Sequence, residues 1–170
     1  MTLCQEINFK KGNIMKIAVI YYSYKGNTAF LCREIVRVLH ADEFVVECEE
    51  NGFFSIVKQL FTKKLPKICD SDFKVDNYDK IVLGAPCWAW DVAPAMKSFL
   101  KKYPIKNKEV ALLLCHGGGA SDKTFEKWIS ILGENKVVAK LKLVNPLEVQ
   151  TARALSFAAD WAQDLWEETT

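Results

Sequence analysis

Five apolar runs alternate with five amphipathic patterns along this chain, and the alternation restricts the fold more than any other feature. The apolar runs are Lys16–Tyr22, Phe44–Cys48, Lys80–Gly84, Glu109–Cys115 and Val137–Val144, short and continuous as buried strands are. Helical spacing marks Asn27–His40, Phe53–Phe61, Ala93–Lys102, Asp122–Leu132 and Thr151–Glu167, the last with Leu155, Ala158, Trp161, Ala162 and Leu165 on one stripe. Continuous apolar strands separated by helices build a parallel sheet covered on both faces. Right-handed crossovers then favour the doubly wound order 2-1-3-4-5. The expectation is a three-layer α/β domain with a five-stranded parallel sheet.

Ligands in such sheets sit beyond the carboxyl ends of the strands, where the order reverses between strands one and three. The residues expected there are unusual. The first strand runs into Ser23-Tyr24-Lys25-Gly26-Asn27-Thr28, just ahead of a helix. Unpaired N–H groups and the positive end of the helix dipole favour an anion at such a turn. Gly26 permits a tight backbone, and Ser23 and Thr28 offer hydroxyls. The third strand runs into Gly84-Ala85-Pro86-Cys87-Trp88-Ala89-Trp90-Asp91 and the fourth into His116-Gly117-Gly118-Gly119. The three loops hold two tryptophans and five of the eight glycines, which concentrates the unusual residues at one edge of the sheet.

Several anion chemistries are excluded by the residues themselves. GxxxxGK[ST] is absent, which removes a P-loop nucleotidase. Gly117-Gly118-Gly119-Ala120-Ser121-Asp122 lacks the third glycine of a dinucleotide fingerprint and follows the wrong strand. A low-molecular-weight phosphatase needs arginine six places after its cysteine, where Cys87 and Cys115 have Ala93 and Ser121. A receiver domain needs aspartate at the end of the third strand, and here that residue is Gly84. A net charge of +2 argues against a nucleic-acid partner, and no apolar run is long enough to span a membrane. No signal peptide is visible, and six scattered cysteines without a CxxC pair suit neither a disulfide scaffold nor a metal site. The cysteines read as small buried hydrophobes in a reducing cytoplasm.

With those removed, the chain from Met15 onward resembles the flavodoxin family and its flavodoxin-like oxidoreductases. Ser23-Tyr24-Lys25-Gly26-Asn27-Thr28 is similar to the family's phosphate loop for flavin mononucleotide (FMN), and Gly84-Ala85-Pro86-Cys87-Trp88 to its G-[ST]-P-x-W loop. His116-Gly117-Gly118-Gly119 stands at the third position. The resemblance implies FMN held by Ser23–Thr28, Ala85–Trp90 and His116–Gly119, with Trp88 or Trp90 as an aromatic wall. It implies cytoplasmic electron transfer or flavin-mediated reduction, with a redox partner protein or a small-molecule acceptor, and NAD(P)H as a candidate donor. The alternative is a structural or regulatory domain that kept the fold and lost FMN. Oligomeric state is not readable.

Three residues depart from the family pattern. Lys25 replaces a usual Ser or Thr, and either contacts the phosphate or points to water. Trp90 stands where relatives commonly have a glycine whose peptide reorients as the flavin N5 is protonated. The loop after the fourth strand lacks the tyrosine that often stacks there. His116 is a candidate hydrogen-bond or proton donor, although no third group is evident to make a nucleophile of Cys87 beside it.

Charge placed on this topology gives two expectations. Lys97, Lys101, Lys102, Lys106 and Lys108 fall at the C-terminal end of a helix, away from the site. Glu49, Glu50, Asp91 and Asp122 gather at the site rim against Lys25 and Lys123, an acidic edge for a positively charged redox partner. Residues 1–14 carry no clear pattern, and Met15 directly precedes the first strand. One expectation is that Met15 is the natural start and that Lys10-Lys11-Gly12 are the codons of a purine-rich ribosome-binding stretch; the intact mass of the native protein decides it. The segment from Glu49 to Asp79 is long for a crossover and is either a flap or a helix with an irregular return.

Overall fold

Alternate residues of a strand face opposite ways, and in the central strands both sets are apolar, so the sheet is buried on both sides. The computed structural model describes residues 15–49, 62, 64–119 and 122–166. Its strands are β1 (Ile17–Tyr21), β2 (Asp42–Val45), β3 (Lys80–Trp88), β4 (Asp91–Val92), β5 (Glu109–His116) and β6 (Lys136–Val144). The helices are α1 (Asn27–Leu39), α2 (Pro94–Lys102), α3 (Asp122–Leu132) and α4 (Thr151–Asp164), with a 3₁₀ turn at Val75–Asn77. The sheet order is β2-β1-β3-β5-β6, all parallel, and β4 folds back antiparallel on β3. The five parallel strands therefore follow the expected doubly wound order, and β4 is an addition to it.

The two faces are filled differently. Ile20, Ile81, Leu83, Leu112 and Leu114 meet Met96 and Phe99 of α2 and Phe125 and Trp128 of α3. On the other face Val19, Tyr21, Val82, Leu113 and Cys115 meet Leu31, Cys32 and Ile35 of α1. There α4 contributes Ala154, Ala158 and Ala162, one small residue per turn, which lets it lie close to the sheet. Each fully buried Leu or Ile contributes about 1.5–3 kcal/mol, so both faces hold the sheet rigid beneath its loops.

Two strand boundaries differ from expectation. β2 begins at Asp42 and ends at Val45, because its register pairs Ala18–Tyr21 with Asp42–Val45. Cys48 instead makes an isolated antiparallel bridge with Ile68. β3 continues past Gly84 to Trp88, since Ala85 and Pro86 still pair with Leu114 and Cys115 and the chain then enters the β3–β4 hairpin. Pro86 has no N–H to give, and its carbonyl accepts from Ala93 N at 3.1 Å. Within the long crossover, Phe73 is buried and stacks on Tyr78 with centroids 5.6 Å apart, so this part is a packed return. Residues 1–14, the helix expected at Phe53–Phe61, Glu50 and Glu167 lie outside the described residues.

Candidate functional site

The first loop is shaped by its own side chains. Gly26 precedes α1 at φ 87°, and a Cβ there would lie 3.3 Å from Leu147 Cδ1, so both backbone and space call for glycine. Ser23 Oγ accepts from Ala29 N at 3.1 Å, which leaves the hydroxyl proton free to donate. Asn27 Oδ1 accepts from Leu147 N at 3.0 Å and ties the loop to the β6–α4 turn. Thr28, the second residue of α1, is buried, and Thr28 and Cys115 both line the space beside the loop. Lys25 is exposed and has no ion-pair partner among the described residues.

At the end of β3 the indole of Trp88 is half-buried and held edge-on by two phenols. Its centroid lies 5.8 Å from that of Tyr22 and 5.9 Å from that of Tyr24. Burial, with Cys48 and then Tyr24 adding to it, pushes the Tyr22 phenol up to about 12. Cys87 Sγ sits 3.9 Å from Thr124 Oγ1, and burial pushes its thiol up against the opposing effect of that contact. Ala89 and Trp90 form the two-residue hairpin turn with φ 48° and 57°. Two positive φ values are the signature of a type I′ turn, which favours Asn and Gly. The Trp90 carbonyl accepts from Lys127 Nζ at 3.2 Å and Thr124 Oγ1 at 3.4 Å, which anchors the turn to α3.

His116 opens the third loop. Its Nδ1 accepts from Gly118 N at 3.0 Å, so the neutral ring carries its proton on Nε2. Burial, and then Lys142, push the imidazole below its ordinary value. Asn145 N donates to His116 O at 2.9 Å, and Asn145 Nδ2 reaches Glu148 Oε2 at 3.3 Å.

These loops enclose a cavity of about 310 Å³. It is lined by Ser23, Tyr24, Lys25, Asn27 and Thr28, by Pro86, Cys87 and Trp88, and by His116 and Gly117. Cys115, Asn145 and Glu148 complete the wall. Other residues expected in the site are not on it. Gly26 lies under Leu147, and Ala85 is buried in the sheet opposite Leu114. Ala89, Trp90, Gly118 and Gly119 belong to the rim, where a Cβ on Gly119 would lie 3.6 Å from Trp90 Nε1. Trp90 is 65% exposed, so of the two tryptophans only Trp88 lines the cavity. Asn145 and Glu148 were missed; the turn dipeptide Asn145-Pro146 after the last strand was the available signal.

Two of the four carboxylates expected at the acidic rim are ion-paired. Asp91 is paired with Lys97 at 2.5 Å and Asp122 with Lys142 at 2.9 Å, and Lys142 holds the Asp122 carboxyl below the usual range. Lys97 is in the first turn of α2, next to the site, and does not belong with the lysines at the helix end. Among the described residues no cluster suits a metal ion, and no helix is long and apolar enough to cross a membrane.

No protein-family profile matches the sequence, and no curated protein matches it. Solved structures do resemble it. A Lactobacillus acidophilus flavoprotein in complex with FMN superposes with a TM-score of 0.63 at 20% identity, covering 81% of this chain and 97% of that one. A candidate flavoprotein of Bacteroides uniformis gives 0.72 at 14% identity over 88% and 99%. Two-electron reduced Megasphaera elsdenii flavodoxin gives 0.54 at 22% identity over 86% and 98%. The fold is that of the flavodoxins. On this flavodoxin-like sheet the cavity lies at the carboxyl ends of β1, β3 and β5, where the strand order reverses.

Proposed function

We propose that residues 15–170 bind one FMN non-covalently in this cavity and that the chain is a cytoplasmic redox flavoprotein. The observation that carries the reading is a single cavity with an anion cradle on one side and the fixed indole of Trp88 on the other. The residues present fit the group. The Ser23 hydroxyl has a proton to give, Thr28 stands in the first turn of α1, and Lys25 beside them has no ion-pair partner among the described residues. Together with the helix N-terminus they suit a phosphate dianion.

Bound FMN supplies the electron transfer at its ring system. The chain's own residues bind and orient it. Ser23, Lys25 and Thr28 hold the phosphate, with Gly26 shaping the turn and Asn27 bracing it against Leu147. Trp88 is the wall for the flat ring, backed by Tyr22 and Tyr24. Pro86, Cys87 and Gly117 close the sides, and His116 Nε2–H donates a hydrogen bond toward the cofactor. The rim of Ala89, Trp90, Gly118 and Gly119 faces the electron partner, either a redox protein or a small-molecule acceptor. The five cysteines of the described residues are all free thiols, in keeping with a reducing compartment.

Purified protein is expected to be yellow, and apoprotein to quench the fluorescence of added FMN with one-to-one stoichiometry. Colourless protein that leaves FMN fluorescence unchanged defeats the reading. Steady oxidation of NADPH or NADH by the isolated holoprotein assigns it as an enzyme, whereas dependence on a separate reductase assigns it as a carrier. For Lys25, the expected result of Lys25→Thr is weaker FMN binding at low salt that converges with wild type at high salt. Equal affinity at both salts places Lys25 in solvent.

A further inference from the structure

Trp90 stands where neither its backbone nor its side chain is served by its surroundings. Its φ of 57° falls in a two-residue hairpin turn that favours Asn or Gly, and the residue is 65% exposed. A residue held in such a conformation signals a demand on its side chain. The backbone is fixed. The Trp90 carbonyl accepts from Lys127 Nζ and Thr124 Oγ1, Asp91 is paired with Lys97, and Cys87 pairs with Val92 across the hairpin. The indole alone is left to move. Its pyrrole edge lies beside Gly119, where a Cβ would stand 3.6 Å from Nε1 and 4.0 Å from Cδ1 and Cε2. Cys87 and Trp88 precede Trp90 on one wall of the cavity, and His116 and Gly117 precede Gly119 on another. The indole therefore bridges the rim between these two walls.

We propose that the Trp90 indole is a gate on the cavity: seated beside Gly119, it slows both the entry and the release of the flavin and adds little to the affinity. The inference rests on the FMN reading and adds a kinetic role to it. A group that touches a ligand in its bound place slows dissociation and strengthens binding together. Trp90 is off the cavity wall, so its seat is the same whether the cavity is empty or filled. A barrier crossed in both directions then changes both rates by one factor, which cancels from their ratio. The contact sets the size of that factor. About a third of the residue is out of water, which favours the seated rotamer by up to about tenfold. Gly119 makes the seat: a lone Cβ there stands at ordinary contact distance, whereas the γ carbons of a valine would take the space of the ring.

The experiment mixes apoprotein with FMN in stopped flow to read association, and follows the rise of free-flavin fluorescence on dilution to read dissociation. Trp90→Ala is expected to raise both rates by about five- to tenfold and to leave Kd within about threefold of wild type. Trp90→Asn, which suits the left-handed turn better than tryptophan, is expected to do the same, so the result does not hang on one variant folding. Gly119→Val keeps the indole but removes its seat. It is expected to raise both rates in the same direction, with no further rise when combined with Trp90→Ala. In apoprotein without flavin, Gly119→Val is also expected to shift the indole N–H resonance of Trp90, assigned by its absence from Trp90→Ala. Faster release at unchanged association, with affinity weakened in proportion, overturns the gate and makes Trp90 a wall of the site. Unchanged rates in the Trp90 variants, or an indole resonance unmoved by Gly119→Val, also overturn it. If wild type does not bind FMN, the FMN reading falls first and the gate falls with it, while the indole resonance still reports whether the seat exists.

Discussion

At the first loop each conformational demand is met by a residue suited to it. Gly26 takes φ 87°, Gly84 makes room for Cys32 and Thr28, and Ser23 accepts the Ala29 N–H. At the β3–β4 hairpin the demand is similar and the residues are not suited to it: Ala89 and Trp90 adopt φ 48° and 57°. A left-handed non-glycine residue costs on the order of 1–2 kcal/mol. Here the cost is carried by the anchoring of the Trp90 carbonyl to Thr124 and Lys127 and by the ion pair of Asp91 with Lys97. One end of the cavity is thus rigid because its packing is tight, and the other because a strained turn is tied down from outside. Backbone strain of this kind collects at functional sites, and it leaves Trp90 exposed beside the cavity.

The sharpest way to break this comparison is to overfill the tight end. Gly84→Ala places a Cβ 2.5 Å from Cys32 Sγ and 3.0 Å from Tyr21 Cβ, inside a face with no room to give. The expected loss is about 1–3 kcal/mol of unfolding free energy, read from urea denaturation. Adding Cys32→Ala should recover part of it, because the closest clash is with that sulfur. An unchanged midpoint would show that the α1 face is looser than its packing implies.

A second contrast lies between the two tryptophans. Trp88→Ala is expected to weaken FMN by about tenfold, the combined loss of a stacked wall and buried area. Trp90→Ala, on the rim, is expected to change it by less than about threefold. The reverse order, measured by fluorescence titration of apoprotein, would move the cofactor wall to the hairpin. At the strained end, Ala89→Gly should raise stability by about 0.5–1 kcal/mol, the relief of left-handed strain less the extra freedom of glycine in the unfolded chain. A loss of stability there would mean that the turn is not strained at Ala89.

How much of this was legible in the sequence follows the same division. Local patterns were readable: the apolar period placed β1, β5 and the four helices α1 to α4, and Gly26 beside Ser23 and Thr28 marked the loop that opens α1. What depended on pairing was not. β3 was expected to end at Gly84 because the next residues look like a loop, with proline and two tryptophans among them. The extension to Trp88 comes from β5 alongside and from the hairpin partner β4, and no local preference announces either. Lys97 was assigned to the helix end by its place in a lysine run, whereas its partner Asp91 lies across a turn. Asn145 and Glu148 reach the cavity only because β6 lies beside β5, so their role is a product of topology.

The smallest expected effect concerns the third loop, which joins the two ends. Burial and Lys142 hold the His116 imidazole below its ordinary value, while Nδ1 is occupied by Gly118 N. The unfolded chain, whose histidine titrates near about 6.5, therefore holds more protons than the folded one in the window below that value. Stability from this group is fully present above that window and is lost as pH falls through it toward the folded value. Wild type is accordingly expected to lose more of its urea midpoint between about pH 7.5 and about pH 5.5 than His116→Asn, whose amide oxygen can still accept from Gly118 N. The imidazole resonance of His116 should titrate below that of a solvated histidine. If the two proteins lose stability in parallel, the neutral ring and its bond to Gly118 do not help to hold the third loop in place. The comparison would then reduce to the two ends alone.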